Sequence, residues 1–234
     1  MCHCGQYVNN FHTIYFPRSP DIRIVMSQDD IDAFVESAQY NKLTPEGVTT
    51  AVVTRGIPVN GRSKWGYTAL HWAVRCERRE LVVALLAAGA DSNTKNSFGD
   101  TSVLEGAAFS TADILQLLMD GGGSVNEPDI DGQTPLIALA RNNCGDAAAR
   151  LQVLLACPEL DLDATYDGKT AEQWAVYMGR VELALAIAEE RARRERWSAL
   201  RAAWIAIVGV AALHKSLCVG NASIHFLQRT ARCI

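Results

Sequence analysis

Glycine recurs at a fixed interval through the middle of this chain. Gly66, Gly99 and Gly132 are spaced by 33 and 33 residues, and Gly168 follows after 36. Thr68, Thr101, Thr134 and Thr170 keep the same step two residues later. Self-similarity at a period of about 20–50 residues means that each segment is a supersecondary unit too small to bury its own apolar face, so neighbours must stack. Glycine suits the tight turn that opens each unit. Threonine suits the first turn of a helix, because its hydroxyl accepts from a backbone N–H that has no partner within the helix. A short apolar helix follows, then a second one. The second helices are expected to bury Leu81, Val82, Leu85 and Leu86, then Ile114, Leu115, Leu117 and Leu118. Leu151, Val153, Leu154 and Leu155 serve the third unit, and Val181, Leu183, Leu185 and Ile187 the fourth.

The best-preserved unit runs from Gly66 to Asn93 and reads GYTALHWAVRCERRELVVALLAAGADSN. Thr68, Leu70, His71 and Ala73 fall on the T-P-L-H-x-A signature, with Ala69 in place of the proline, and this stretch resembles the ankyrin repeat family. The resemblance implies an all-α repeat solenoid, an ankyrin stack of helix pairs with turn or hairpin tips, and a binding role toward a protein partner. The other units depart from the pattern. Leu104, Ile137 and Gln173 stand where the signature histidine belongs, and Pro135 is the only signature proline. In the family that histidine ties neighbouring turns together, so weaker ties are expected in the later units. Thr68, His71 and Gly89 are accordingly assigned structural roles.

Organisation follows from the same period. Residues 1–25 show no sustained pattern and are expected to be a disordered leader. The repeat domain is expected over 26–190, with a degenerate unit at 27–60 and fuller units at about 66–98, 99–131, 132–167 and 168–190. Gly56 and Asn60 lie 33 residues before Gly89 and Asn93, which brings the degenerate unit into register. Ser27 and Thr44-Pro45 are helix openings. About three extra residues around Cys144–Arg150 lengthen one helix–helix turn. A capping helix is expected over 191–215, covering the open end of the stack, and an unstructured tail over 216–234. The uncharged run Ala202–Leu213 has 12 residues, whereas a membrane-spanning helix needs about 20.

Composition narrows the function classes. The net charge of −4 offers no overall basic footprint for nucleic acid. Seven cysteines in no disulfide spacing suit a reducing compartment, the cytoplasm or the nucleus. Cys76, Cys144 and Cys157 read as small packing residues. Cys2-His3-Cys4 lacks the second ligand pair of a structural zinc site. No phosphate-binding glycine loop or H-E-x-x-H motif occurs. Asp129, Asp131, Asp161 and Asp163 read as turn formers rather than calcium ligands. No enzyme activity, metal or cofactor is expected.

A protein-binding scaffold or adaptor is the reading that remains, with the partner on the concave face of the stack. Two alternatives stand beside it: a membrane-associated protein held by a helix at 197–213, and a subunit of an enzyme complex whose chemistry lies elsewhere. If the resemblance holds, the tips before each glycine and the ends of the front helices face the partner. The expected contacts are Trp65, Lys95, Phe98 and Tyr166 on the tips, with Arg75, Phe109, Arg141 and Tyr177 at the helix ends, because aromatic residues and arginine dominate interface energy. Charge changes along the tips from Arg62, Lys64 and Lys95 to Glu127, Asp129 and Asp131, a polarity that could orient a partner. Asn93 and Asn126 occupy the turn asparagine of the family, where the resemblance permits hydroxylation and ordinary turn chemistry is the simpler role.

Overall fold

A computed structural model describes residues 27–142 and 145–204. The leader, Cys2-His3-Cys4, Cys144 and the segment 205–234 lie outside the described residues. The fold is the expected all-α repeat solenoid. Front helices α1 (Gln28–Gln39), α3 (Ala69–Arg75), α5 (Ser102–Phe109), α7 (Pro135–Arg141) and α9 (Ala171–Tyr177) pack in sequence against one another. Behind them lie α2 (Pro45–Thr49), α4 (Arg79–Ala87), α6 (Ala112–Asp120), α8 (Ala147–Leu155) and α10 (181–204). One apolar core runs the length of the stack between the two layers.

The helix starts follow from their side chains. Ser27 caps α1 in a reciprocal box with Asp30, and Thr44 accepts from the Gly47 N–H ahead of Pro45. Thr68, Thr101 and Thr170 each accept from the backbone N–H three residues on. Thr134 does not, and its buried hydroxyl has no partner. Helix α2 passes into a π-turn at Thr50–Thr54 that leaves Val53 exposed.

Glycine at the tips answers two demands at once. Gly66 and Gly99 have φ of +76° and +83°. A Cβ at Gly66 would stand 2.6 Å from the Ser97 amide nitrogen, and one at Gly99 2.5 Å from that of Ile130. Those amides donate to the Trp65 and Phe98 carbonyls at 3.1 Å, so each glycine lets the next tip dock on its own. The last tip is built differently. Thr165–Tyr166 (β1) and Lys169–Thr170 (β2) form an antiparallel hairpin around Asp167-Gly168, both with positive φ, as a two-residue primed turn requires.

Three kinds of side chain tie one unit to the next. Asn60, Asn93 and Asn126 each donate to a carbonyl one unit on, at Gly89, Gly122 and Glu159. Their amide oxygens accept from the N–H of Asp91, Ser124 and Asp161. The asparagines therefore serve as bridges between units as well as turn residues. His71, fully buried, accepts from the Thr68 N–H at Nδ1 and donates from Nε2 to the Asp100 carbonyl at 3.0 Å. Arginine supplies the third kind. Arg78 donates to the Leu43 carbonyl, the fully buried Arg150 to that of Ala107, and Arg180 to that of Leu139. These are carbonyls of the preceding unit, left open where its front helix ends or turns. Arginine ties therefore occur both in the unit that keeps the histidine and in two units that lack it.

Two boundary expectations change. Residues 181–204 form one continuous helix, so no break separates the fourth rear helix from a capping helix at 191. Its first half docks: Leu183, Ala184 and Ile187 are buried, at helical spacing, and the expected Val181 and Leu185 face outward. Arg191 and Arg194 then hold the carbonyls of Leu162 and Leu160. Beyond Arg194 every described residue is exposed, Trp197, Leu200 and Trp204 included, so within the expected capping helix 191–194 dock and 195–204 project from the stack. Cys76 is exposed at the end of α3 rather than packed, whereas Cys157 rests against the core.

Burial holds the His71 imidazole at a pKa of about 4, against the ordinary 6.5. As pH falls, the unfolded chain takes up this proton first. His71 therefore withdraws stability between about pH 6.5 and pH 4, and no further below that. Replacing His71 with alanine leaves the Asp100 carbonyl and Thr68 N–H short of partners and opens a cavity, an expected cost of about 2–4 kcal/mol. Gln173→Ala removes only an exposed reciprocal cap, an expected cost below about 1 kcal/mol. Urea melts at pH 7.5 of the two variants give the comparison; equal midpoints would remove His71 from its central place.

Candidate functional site

The C-terminal ends of the front helices and the later tips come together around a shared recess. Two clusters of cation and ring form there. In the first, Arg75 at the end of α3 reaches across to Glu105 on α5, Nη1 lying 3.1 and 3.3 Å from the two carboxylate oxygens. The same guanidinium sits 5.2 Å from the Phe109 ring centre. Phe109 packs with Leu104, Ala108 and Ala138 in a small apolar cluster apart from the main core.

The second cluster belongs to the last two units. The Arg141 guanidinium lies 4.6 Å from the centre of Tyr166 and 4.9 Å from that of Trp174. Lys169 stands 4.9 Å from Trp174 and 5.7 Å from Tyr177. Trp174 and Tyr177 meet edge to face at 5.5 Å, and the indole N–H donates to the Tyr166 carbonyl at 2.9 Å. The hairpin, α7 and α9 are thereby locked around one indole. Between the clusters lies a recess of about 350 Å³, walled by Arg75, Asp100, Glu105, Gln133, Arg141 and Met178 among others.

The expected contact residues divide accordingly. Arg75 and Phe109 come together, as do Arg141, Tyr166 and Tyr177. Ala108, beside Phe109, is buried beneath the surface. Trp65 and Phe98 are half exposed on the first tips, apart from both clusters; the Tyr67 ring is 6.4 Å from Phe98 and 5.0 Å from Trp72. Lys95 is committed elsewhere, to the Glu127 carboxylate at 2.7 Å and the Pro128 carbonyl at 2.9 Å. Asp129 and Asp161 accept from the N–H two residues on, as turn formers do. Trp174, Lys169, Gln133 and Glu105 belong to the site and were not anticipated. A signal for Glu105 exists, since it is the single charged residue between Asp100 and Asp113.

Glu105 is the most perturbed group here. It is 2% exposed, and its ion-pair partner Arg75 is 43% exposed. Burial pushes its carboxyl up to about 7; Arg75 opposes the shift and Asp100 adds to it. Burial also raises Asp100, against the Asn96 amide that donates to it. Among the described residues, no group of three His, Cys, Asp or Glu side chains is placed to hold a metal ion. No described helix is long and apolar enough to cross a membrane.

Comparison with known proteins agrees with this architecture. A family model described as ankyrin repeats in three copies matches residues 104–195, and one for ankyrin repeats in many copies matches residues 52–107. The chain belongs to the ankyrin repeat family, whose repeats are in general protein–protein interaction modules. Neurogenic locus notch homolog protein 2 from Homo sapiens is 30% identical over 175 residues, covering 73% of this chain and 6% of that protein. Neurogenic locus notch homolog protein 1 from Mus musculus is 29% identical over 138 residues, covering 58% of this chain and 5% of its own length. The chain thus spans a small part of the length of these relatives.

Because Glu105 ionises in the unfolded chain near 4.5 and in the fold near 7, it withdraws stability as pH rises through that window, the reverse of His71. Glu105→Gln keeps the shape and an acceptor for Arg75. Relative to the parent it is expected to gain about 1–3 kcal/mol between pH 4.5 and pH 8. Denaturant titrations at both pH values test this; a difference independent of pH would show that Arg75 keeps Glu105 ionised throughout.

Proposed function

We propose that this stack is a non-catalytic scaffold or adaptor module that holds a protein partner on its concave face. The observation that carries the reading is the second cluster. Tyr177 is 70% exposed yet anchored edge-on against Trp174, with Lys169 beside it. A large ring already fixed in place gains apolar contact on binding while losing little rotamer freedom, which is what makes aromatic residues anchors. Phe109 under Arg75 provides a second such point on the same face. The free thiols Cys76 and Cys157 support placement in a reducing compartment, the cytoplasm or nucleus.

Tyr177→Ala removes an exposed ring and is expected to leave helical circular dichroism and the melting transition nearly unchanged. Binding of partners captured from a cell extract by the full chain is expected to fall about 10- to 30-fold, and further in the double variant with Phe109→Ala. Undiminished capture by the folded double variant would overturn the assignment of this face.

A further inference from the structure

Arginines in this fold are matched to acceptors with some regularity. Arg75, Arg191, Arg193 and Arg194 have carboxylates. Arg78, Arg150 and Arg180 have carbonyls of the preceding unit. Arg141 differs. It is half-buried, and among the described residues its one hydrogen bond is from Nη1 to the Gln133 side-chain oxygen. Among the described residues no carboxylate forms an ion pair with it, and its buried Nε–H has no acceptor. A guanidinium held against Tyr166 and Trp174 is oriented and partly desolvated, and it still has donors to give.

We propose that the recess beside Arg141 receives an aspartate or glutamate side chain of the protein partner, with the Arg141 guanidinium as its anchor. This rests on the concave face being the binding surface and names the chemistry that face selects. Charge complementarity carries it. Of the two acids that wall the recess, Glu105 is ion-paired with Arg75, and Asp100 accepts from the Asn96 amide and is held toward its neutral form by burial, so neither is a strong site for an entering base. An acid finds in Arg141 a guanidinium with no carboxylate partner among the described residues and, across the same cluster, the Lys169 ammonium, whose ion pair with the exposed Asp167 is long, at 3.9 Å. Leu104, Ala108 and Phe109 give the recess an apolar wall, and pairing beside such a wall strengthens as the entering side chain displaces water. Tyr166 and Trp174 fix the plane of the guanidinium, so less freedom is lost when a carboxylate meets it.

Panning a random-peptide phage library on the full chain tests this without a known partner. Selected peptides are expected to share one Asp or Glu at a fixed place. A synthetic peptide from that set should lose about tenfold in affinity when the acid becomes its amide, against the parent protein. Against Arg141→Gln or Arg141→Met, the second of which keeps an apolar stem on the two rings, the same change should cost less than twofold. Arg141→Lys should restore part of the difference. Peptides that need Tyr177 but show no acidic preference, or an acid whose removal costs as much on the Arg141 variants, would overturn this proposal and leave the concave face standing. Selection of no peptide sensitive to Tyr177→Ala would overturn both.

Discussion

What the rest of this structure depends on is the satisfaction of turn backbone groups between units. A stack of short helices ends and restarts every dozen or so residues, and each end leaves N–H and carbonyl groups without partners inside its own helix. Buried away from water, each costs about 1–3 kcal/mol if left unpaired. Here the partners come from the adjacent unit. Asn60, Asn93 and Asn126 bridge loop ends, His71 reaches the Asp100 carbonyl, and Arg78, Arg150 and Arg180 reach back to carbonyls of the unit before. Stability is then a property of neighbouring pairs, as expected of a one-dimensional array.

The same ties set the geometry of the concave face. The His71 bond fixes Asp100 two residues before α5, beside its Thr101 cap, and Asp100 walls the recess and adds to the perturbation of Glu105. Docking of Ser97 on Trp65 and of Ile130 on Phe98 sets the spacing of the tips. No equivalent bond joins the third tip to the fourth among the described residues, and a Cβ at Gly132 would meet nothing within 4 Å. There the hairpin and Trp174 take over, and the aromatic cluster appears where the tip ladder stops.

The architecture was legible because period and capping chemistry are local. A Gly-x-Thr step every 33 residues places each front helix, and Thr68, Thr101 and Thr170 cap where that step puts them. The ties were less legible because they are not residue-for-residue repeats. Arg150 lies one turn inside α8, whereas Arg78 and Arg180 stand just before their helices, so no fixed spacing reveals the set. Trp174 reads as core, and it is nearly buried, yet its faces hold Arg141 and Lys169. The orientation of Val181 and Leu185 was hidden for another reason: four apolar residues alternate over seven positions, and of the two pairs four apart helical twist buries Leu183 and Ile187 and turns Val181 and Leu185 outward.

Charge along the tips illustrates why a field cannot be taken from sequence signs alone. Lys95 and Glu127, which stand on either side of the change of sign, neutralise each other at 2.7 Å. Asp129 directs one carboxylate oxygen at the N–H groups of Asp131 and Gln133, within its own turn. The tips therefore present a weaker and more local field than their composition implies, and at physiological salt such exposed charges act over only about 8 Å. Arg141 and Lys169 are placed otherwise, against rings in a shallow enclosure where screening is less effective. Those two cations and the aromatic surface beneath them stand together toward the C-terminal end of the stack.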